Sequence, residues 1–334
     1  MRAFTYARAT TPAEAVRALA TAGPRTRFIA GGTTLYDLMK LDIETPSAVV
    51  DITGLDELTS FDTSGPRELT FGALARMSDV AEDDRLRRDY PAIAESLWRA
   101  ASQQLRNMAT LGGNLLQRTR CAYFRGGEPF ACNKRRPGSG CAAIEGLDRG
   151  HAVLGGSDAC IAVYPGDFAV ALVAFDAEVD ILGPRGQRTI PVEALHRAPG
   201  DKPEIENVLE PGELILRIRV PTTPLGRAST YHKIRDRESY AFALTSAAAA
   251  IHLDGDVVRE ARIALGGVAT RPWRAREAER TLAGRPLTPA FARVAGDAAF
   301  AQARAGRHNG FKIELGARTV ADALLIAAGR GRQS

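Results

Sequence analysis

The residues best suited to chemistry are unevenly placed. Cys121, Cys132, Cys141 and Cys160 fall within 40 residues, and the other 294 positions hold no cysteine. Successive cysteines are separated by ten, eight and eighteen residues, which is neither the paired C-x-x-C of a zinc ribbon nor the tight run of a bacterial ferredoxin. The spacing leaves a metal ion or iron–sulfur cluster, two disulfides, or unrelated thiols open. Disulfides mostly serve small secreted domains, and a chain of 334 residues can bury a full core without them. From Arg118 to Arg136, six basic residues stand against the single acid Glu128, so the cysteines lie in a positively charged stretch.

Two glycine strings are the second candidate. Arg27-Phe28-Ile29-Ala30 reads as a short strand that runs into Gly31-Gly32-Thr33-Thr34 and a brief helical stretch, Leu35 to Leu41. A strand, a glycine turn and a helix start point backbone N–H groups at one spot, as in phosphate sites. A Rossmann fingerprint is tempting because Asp51 lies 20 residues after Gly31, but the glycine spacing fails it and the helix is too short for a crossover. The second string is Arg106-Asn107-Met108-Ala109-Thr110-Leu111-Gly112-Gly113-Asn114. Each alone is compatible with a plain turn. Together they fit a long anionic cofactor, which needs close backbone approach along its length.

The composition suits a folded chain of about two domains: 45% hydrophobic and 25% charged. It excludes disorder, collagen and coiled coil. No apolar run is long enough to span a membrane, and Met1 to Tyr6 lacks the pattern of an export signal. We therefore expect no signal of its own, with a cytoplasmic location, or a periplasmic one by co-export with a signal-bearing partner. The net charge of +5 is compatible with nucleic acid, a membrane surface or an acidic partner. Aromatics are sparse and no nucleic-acid-binding motif occurs, so nucleic acid is not expected.

The elements that must position these residues can be read from local signals. Thr11-Pro12-Ala13-Glu14 is a capping box opening a helix that Gly23 closes. Strands are expected at Ala48 to Ile52, Phe168 to Phe175, Val179 to Leu182 with a hairpin return at Gln187 to Ile190, and Leu214 to Val220, the last stopping at Pro221. A helix is expected from Pro91 to about Gln104. Pro221 to Gly226 reads as a linker. Beyond it come strands (Thr230 to Arg235, Val257 to Leu265) and helices (Arg274 to Leu282, Pro289 to Arg304, Ala317 to Ala328), a smaller α+β unit. Ala241 to Ile251 suits either strand or helix.

Phe28-Ile29-Ala30-Gly31-Gly32-Thr33-Thr34-Leu35, the Asn107 to Asn114 loop, Pro165-Gly166-Asp167-Phe168 and Leu214-Ile215-Leu216 resemble the FAD-binding subunit of the molybdenum hydroxylases, the xanthine dehydrogenase and aldehyde oxidoreductase family. The resemblance runs from near residue 1 to about 325. It implies an α+β fold: a PCMH-type FAD-binding domain of two α+β subdomains at 1–224, interrupted by a cysteine-bearing insertion at about 118–162. A C-terminal α+β domain of the CO dehydrogenase flavoprotein type is implied at 225–334.

Carried over by position, the resemblance implies that Phe28, Ile29, Ala30, Gly31, Gly32, Thr33, Thr34 and Leu35 wrap the FAD pyrophosphate. Thr110, Gly113 and Asn114 complete the phosphate and ribityl contacts, Asp167 accepts from the FAD, and Ile215 and Lys233 lie near the flavin ring. Taken without the family, these last three are a turn carboxylate, a core aliphatic and a surface lysine. An ordinary member passes directly from the second glycine loop to the aspartate segment, whereas here roughly 45 residues intervene. This insertion resembles that of members carrying a 4Fe-4S cluster, the flavin subunits of bacterial three-subunit aldehyde oxidoreductases, which implies that Cys121, Cys132, Cys141 and Cys160 ligate one cluster.

By the same resemblance, the chain is expected to be an FAD- and 4Fe-4S-carrying electron-transfer subunit of a molybdenum-dependent enzyme oxidising aldehydes to carboxylic acids. The molybdenum cofactor is expected in a large partner subunit and 2Fe-2S clusters in a small one, with electrons leaving to an external acceptor. No catalytic residue is expected in this chain, because the redox chemistry belongs to cofactors. A free-standing flavin oxidase of the same fold, or a non-enzymatic electron-transfer partner, are the alternatives.

Overall fold

The computed structural model describes residues 1–332. It is built on three sheets. A parallel sheet has Ala48–Asp51 at its centre, with Thr5–Arg8 on one side and Thr26–Ile29 on the other. Its connection is the helix Pro12–Thr21, whose Ala15 and Val16 pack inward. The cap at that helix differs in one detail from a capping box. Thr11 Oγ1 accepts from Glu14 N at 3.2 Å, but the Glu14 carboxylate reaches the N–H of Thr10 at 2.7 Å, not that of Thr11.

Five antiparallel strands make the second sheet, in the order Phe61–Asp62, Glu68–Gly72, Leu214–Pro221, Glu178–Gly183, Gly186–Pro191. Leu214–Pro221 is the joint of this half of the molecule. Its Ile218 packs with Phe71 and Val179 in the largest apolar core, while Leu214 and Leu216 share a second cluster with Val50 and Ile52 of the parallel sheet region. Plain alternation would put these three on one face, and the bulge at Leu216, where the pairing steps from Asp180↔Arg217 to Ile181↔Ile215, turns Leu214 and Leu216 away from the face of Ile218.

The third sheet is antiparallel, ordered Trp273–Arg274, Val257–Gly266, Thr245–Asp254, Ser229–Ile234. The helices Arg276–Leu282, Pro289–Ala299 and Phe311–Gly331 accompany it around a separate apolar cluster.

Two sequence expectations resolve differently here. Phe168 to Phe175 is a helix, Phe168–Ala174, and not a strand. All seven of its residues are buried, and an element surrounded by protein shows no polar face, so its apolar run carries no period to read. The ambiguous Ala241 to Ile251 region becomes the strand Thr245–Asp254 despite four consecutive alanines, a helix-favouring run. Pairing on both edges with Ser229–Ile234 and Val257–Gly266 overrides local propensity.

The cysteine-bearing segment at about 118–162, expected above to be an insertion, has little regular structure: single turns of helix at Ala122–Arg125 and Ala142–Glu145, joined by turns. One small apolar cluster joins Leu38, Phe124 and Cys132, with Ile43 and Cys121 packed against it, while Val153 and Leu154 enter the apolar cluster of the third sheet. The segment's basic residues are not left facing the lone Glu128. Acids distant in sequence come to them. Asp37 takes Arg120 at 3.0 Å and Arg125 at 2.8 Å, Glu44 and Glu206 grip Arg118 at 2.6 and 2.5 Å, and Glu206 also takes Lys134 at 2.8 Å.

Candidate functional site: a glycine-walled cleft and a cysteine-lined cavity

A deep cleft lined by residues from Arg27 to Thr270 encloses about 510 Å³, within the range of small-molecule and cofactor sites. Phe28 to Leu35 form one wall. Thr110, Gly112 and Gly113 form a second, Leu214 and Ile215 close a third, and Arg118, Glu44 and Glu206 line the rim. The first two walls touch through backbone. A Cβ at Gly31 would lie 1.7 Å from the Met108 carbonyl oxygen, so no other residue permits this approach. Gly32 instead has φ of +71°, the left-handed region in which a side chain is strained.

The second loop is fixed to the sheet region. Leu111 N donates to Ala75 O at 3.0 Å and Gly112 N to Ala73 O at 2.8 Å, while Thr110 Oγ1 caps the short helix Leu111–Leu115 through Gly113 N. Asn114 Nδ2 donates to Met77 Sδ at 3.4 Å, and its Oδ1 is buried without a partner. His196, on the cleft wall, meets Leu115 O through Nε2 at 2.8 Å, with Nδ1 also buried and unpartnered. Burial holds His196 down to about 4, so its ring is neutral near pH 7.

Of the residues expected around FAD, Phe28 to Leu35, Thr110, Gly113 and Ile215 line this cleft, and Asn114 adjoins it between two lining residues. Asp167 and Lys233 do not line it. Lys233 Nζ donates to Asp167 Oδ2 at 2.8 Å and to Arg99 O at 3.0 Å, and Tyr231 donates its hydroxyl to Asp167 Oδ1 at 2.6 Å. Both carboxylate oxygens are thus engaged. The pair is almost fully buried, where a charge survives only with its partner. Lys233 is therefore not the surface lysine its local sequence suggests.

The four cysteines, dispersed in sequence, come together. Cys121, Cys132, Cys141 and Cys160 all line one small cavity, with Lys134 and His151 beside them, and all four are free thiols. Cys132 and Cys141 pair through an antiparallel backbone bridge. Cys160 shares a hydrogen bond with Cys141, which lowers the Cys141 pKa and raises that of Cys160. Burial pushes the Cys121 thiol up to about 11. Among the described residues, no group of three or more His, Cys, Asp or Glu side chains is arranged to hold a metal ion. Cys160, Lys134 and Ala162 line both this cavity and the glycine-walled cleft, making them a common wall.

Comparison with known proteins matches residues 2–223 to the FAD binding domain in molybdopterin dehydrogenase and residues 229–327 to the CO dehydrogenase flavoprotein C-terminal domain. The chain belongs to the FAD-binding subunits of the molybdenum hydroxylase family. This flavin subunit is 49% identical over 331 residues to the aldehyde oxidoreductase FAD-binding subunit PaoB of Escherichia coli strain K12, covering 98% of this chain and 99% of that one. It is 26% identical to the carbon monoxide dehydrogenase medium chain of Afipia carboxidovorans, over 85% of this chain and 81% of the relative. Among solved structures, the carbon monoxide dehydrogenase of Hydrogenophaga pseudoflava has a chain that superposes with a TM-score of 0.77 at 25% identity, 98% of each chain being covered. Among the described residues of the flavin subunit, no helix is long and apolar enough to cross a membrane.

The cleft suits the FAD of this family on its own chemistry. Gly31 permits two backbones to meet along the cleft wall, His196 Nδ1 on that wall is a buried polar atom without a partner, and so is Oδ1 of the adjoining Asn114. Sequence reasoning did not single out Glu44, Glu206, Asp37 or His196, because nothing local distinguishes them from surface acids and a stray histidine. His151 was findable: it lies between Cys141 and Cys160, within the insertion.

Proposed function

We propose that this chain carries FAD in the glycine-walled cleft and one 4Fe-4S cluster on Cys121, Cys132, Cys141 and Cys160. It then serves as the electron-transfer subunit of an aldehyde oxidoreductase that has a molybdenum-cofactor large subunit and a 2Fe-2S small subunit. In that assembly, aldehyde and water become carboxylic acid at the molybdenum centre, releasing two electrons and two protons. The electrons pass through the small subunit to this chain and on to an external acceptor. The same reading divides the chain at 224/225, with the insertion at about 118–162.

FAD supplies the exchange between two-electron and one-electron steps, and the cluster supplies a one-electron store. The chain's own residues hold and tune. Phe28 to Leu35 and Thr110 to Asn114 cradle the cofactor through backbone, and Ile215 packs one side. Asp167 and Lys233, spent on each other, fix the Phe168–Ala174 helix against the Ser229–Ile234 strand and so support the cleft from behind. Lys134, at the wall common to both cavities, offsets the negative charge of four thiolates.

The observation that carries the cluster assignment is the convergence of four free thiols on one cavity free of carboxylates. A cubane places iron and inorganic sulfide between its ligands, so its thiolates stand further apart than those around one ion. Cys141 and Cys160, which here share a hydrogen bond, would move apart to admit it. Purifying the chain anaerobically, with and without co-expressed partners, and recording visible spectra and aldehyde turnover tests the reading. Flavin and broad iron–sulfur absorbance with turnover only in the complex is expected. Aldehyde turnover by the isolated chain would overturn it in favour of a free-standing oxidase.

A further inference from the structure

His151 stands among the cysteines. Its Nε2 is 3.2 Å from Cys121 Sγ, the side chain lines the same cavity as all four thiols, and the residue is 6% exposed. Its position is fixed from both sides of the backbone. His151 N donates to Asp148 O at 2.8 Å, and its carbonyl accepts from the buried Lys312 Nζ at 3.2 Å. Lys312 also donates to Gly150 O and Gly267 O, tying this corner of the insertion to the C-terminal helix Phe311–Gly331. The ring lies beside Tyr123, centroids 6.1 Å apart, and its Nδ1 is buried with no partner.

We propose that His151 is a positioning residue for the cluster, donating an Nε2–H hydrogen bond to the Cys121 sulfur and thereby raising the cluster's reduction potential. The proposal rests on the cluster reading above. A neutral imidazole has one N–H, and its site is decided by where an acceptor lies. Nδ1 has no partner in hydrogen-bonding geometry, with only the neutral Asp148 carbonyl near the ring, whereas Nε2 faces a sulfur that becomes anionic on ligation and is the stronger acceptor. The proton therefore sits on Nε2. With four thiolates already present, the imidazole is not needed as a ligand, and a hydrogen bond from outside the ligand set is the remaining use of that contact. Reduction adds negative charge to the cluster, much of it on sulfur, so a donor at sulfur favours the reduced state.

The test is a redox titration of the intact complex, with the reduced cluster monitored by electron paramagnetic resonance. Wild type, His151→Leu and His151→Gln are compared. In His151→Leu, the ratio of reduced to oxidised cluster at a fixed potential should fall about tenfold, which is 59 mV for a one-electron couple. His151→Gln keeps an N–H donor and should recover part of the shift. Equal potentials in all three, with iron content intact, would overturn the proposal while leaving the cluster reading standing. Absence of iron and acid-labile sulfide from the wild type would remove both. Should the leucine variant fail to hold its cluster, the wild-type complex labelled with [15N]histidine gives the second measurement. A weak nitrogen coupling together with an exchangeable proton supports the hydrogen bond. No histidine coupling, or the strong coupling of a directly bound nitrogen, overturns it.

Discussion

The glycine-walled cleft and the cysteine insertion sit against each other, yet they are held together by different forces. The cleft is backbone pressed on backbone: the Gly31 turn meets Met108, Leu111 and Gly112 bond to Ala75 and Ala73, and the sheets behind carry the two apolar clusters that share Leu214–Pro221. The insertion has two single helical turns, one small apolar cluster of its own, Val153 and Leu154 set into the core of the third sheet, the Lys312 tie at Gly150 and His151, and ion pairs to acids outside it. Ordering some 40 residues costs on the order of 1–2 kcal/mol each, and partly exposed ion pairs return about 1 kcal/mol or less apiece. A cofactor binding the cleft meets a scaffold ordered by its own packing. A cluster binding the insertion must supply ordering energy itself, as metals do in small metal-dependent modules.

If this contrast holds, damage to one region should spare the other. The largest effect is expected from Gly31→Val. A Cβ 1.7 Å from a backbone oxygen forces the two loops apart, a displacement beyond the roughly 1–3 kcal/mol of ordinary overpacking. FAD content after desalting should fall close to zero with iron retained. Stoichiometric FAD in a folded Gly31→Val protein would remove this turn from the site.

Cys141→Ser is the reciprocal. Iron and the broad visible absorbance should be lost and the insertion cut quickly by protease, with flavin mostly retained. Joint loss of both cofactors would show that the two regions fold as one.

Lys312→Met sharpens the comparison through pH. Burial, with the Arg149 charge adding to it, holds Lys312 down to about 8, below its unfolded value. The folded state therefore releases this proton first, and stability attributable to Lys312 rises as pH climbs from about 8 to the unfolded lysine value. Thermal unfolding of wild type relative to Lys312→Met should improve across that window, by about 3 kcal/mol in total. A flat or falling difference would mean that the amine is not buried as described.

The smallest effect is expected from Asp37→Asn. This carboxylate, held below the usual range first by the Arg125 hydrogen bond, is part-exposed, so its loss should cost about 1 kcal/mol or less. It should speed proteolysis near Arg120 and Arg125 without changing FAD content. Because the Asp37 pKa is depressed, its contribution is present above the unfolded value and fades as pH falls through the folded one. Wild type and variant should converge in acid.

Local signals made much of this legible. Gly31-Gly32 marked a turn needing special backbone, and the strand before it, the helix after it and the strand at Leu214 stand within a residue or two of where spacing puts them. The cysteines announced themselves by clustering. Illegible were the partners that tertiary folding supplies: Asp37, Glu44 and Glu206 reach their arginines across 74 to 88 residues of chain, and no window of sequence contains both ends. Asp167 and Lys233, 66 residues apart, share that difficulty, and the fully buried helix Phe168–Ala174 lacked the polar face that would have declared it.

Two redox groups are expected to occupy two neighbouring but separately built sites. Iron, acid-labile sulfide and FAD measured together on the anaerobically purified wild-type complex test it most directly, once the share from the separately quantified 2Fe-2S small subunit is subtracted. The expected result is about four iron and four sulfide per FAD remaining on this chain, all four thiols protected from alkylation until the cluster is stripped. One FAD with no iron and no sulfide on this chain, or with mass shifts on reduction that reveal two disulfides among Cys121, Cys132, Cys141 and Cys160, would contradict it.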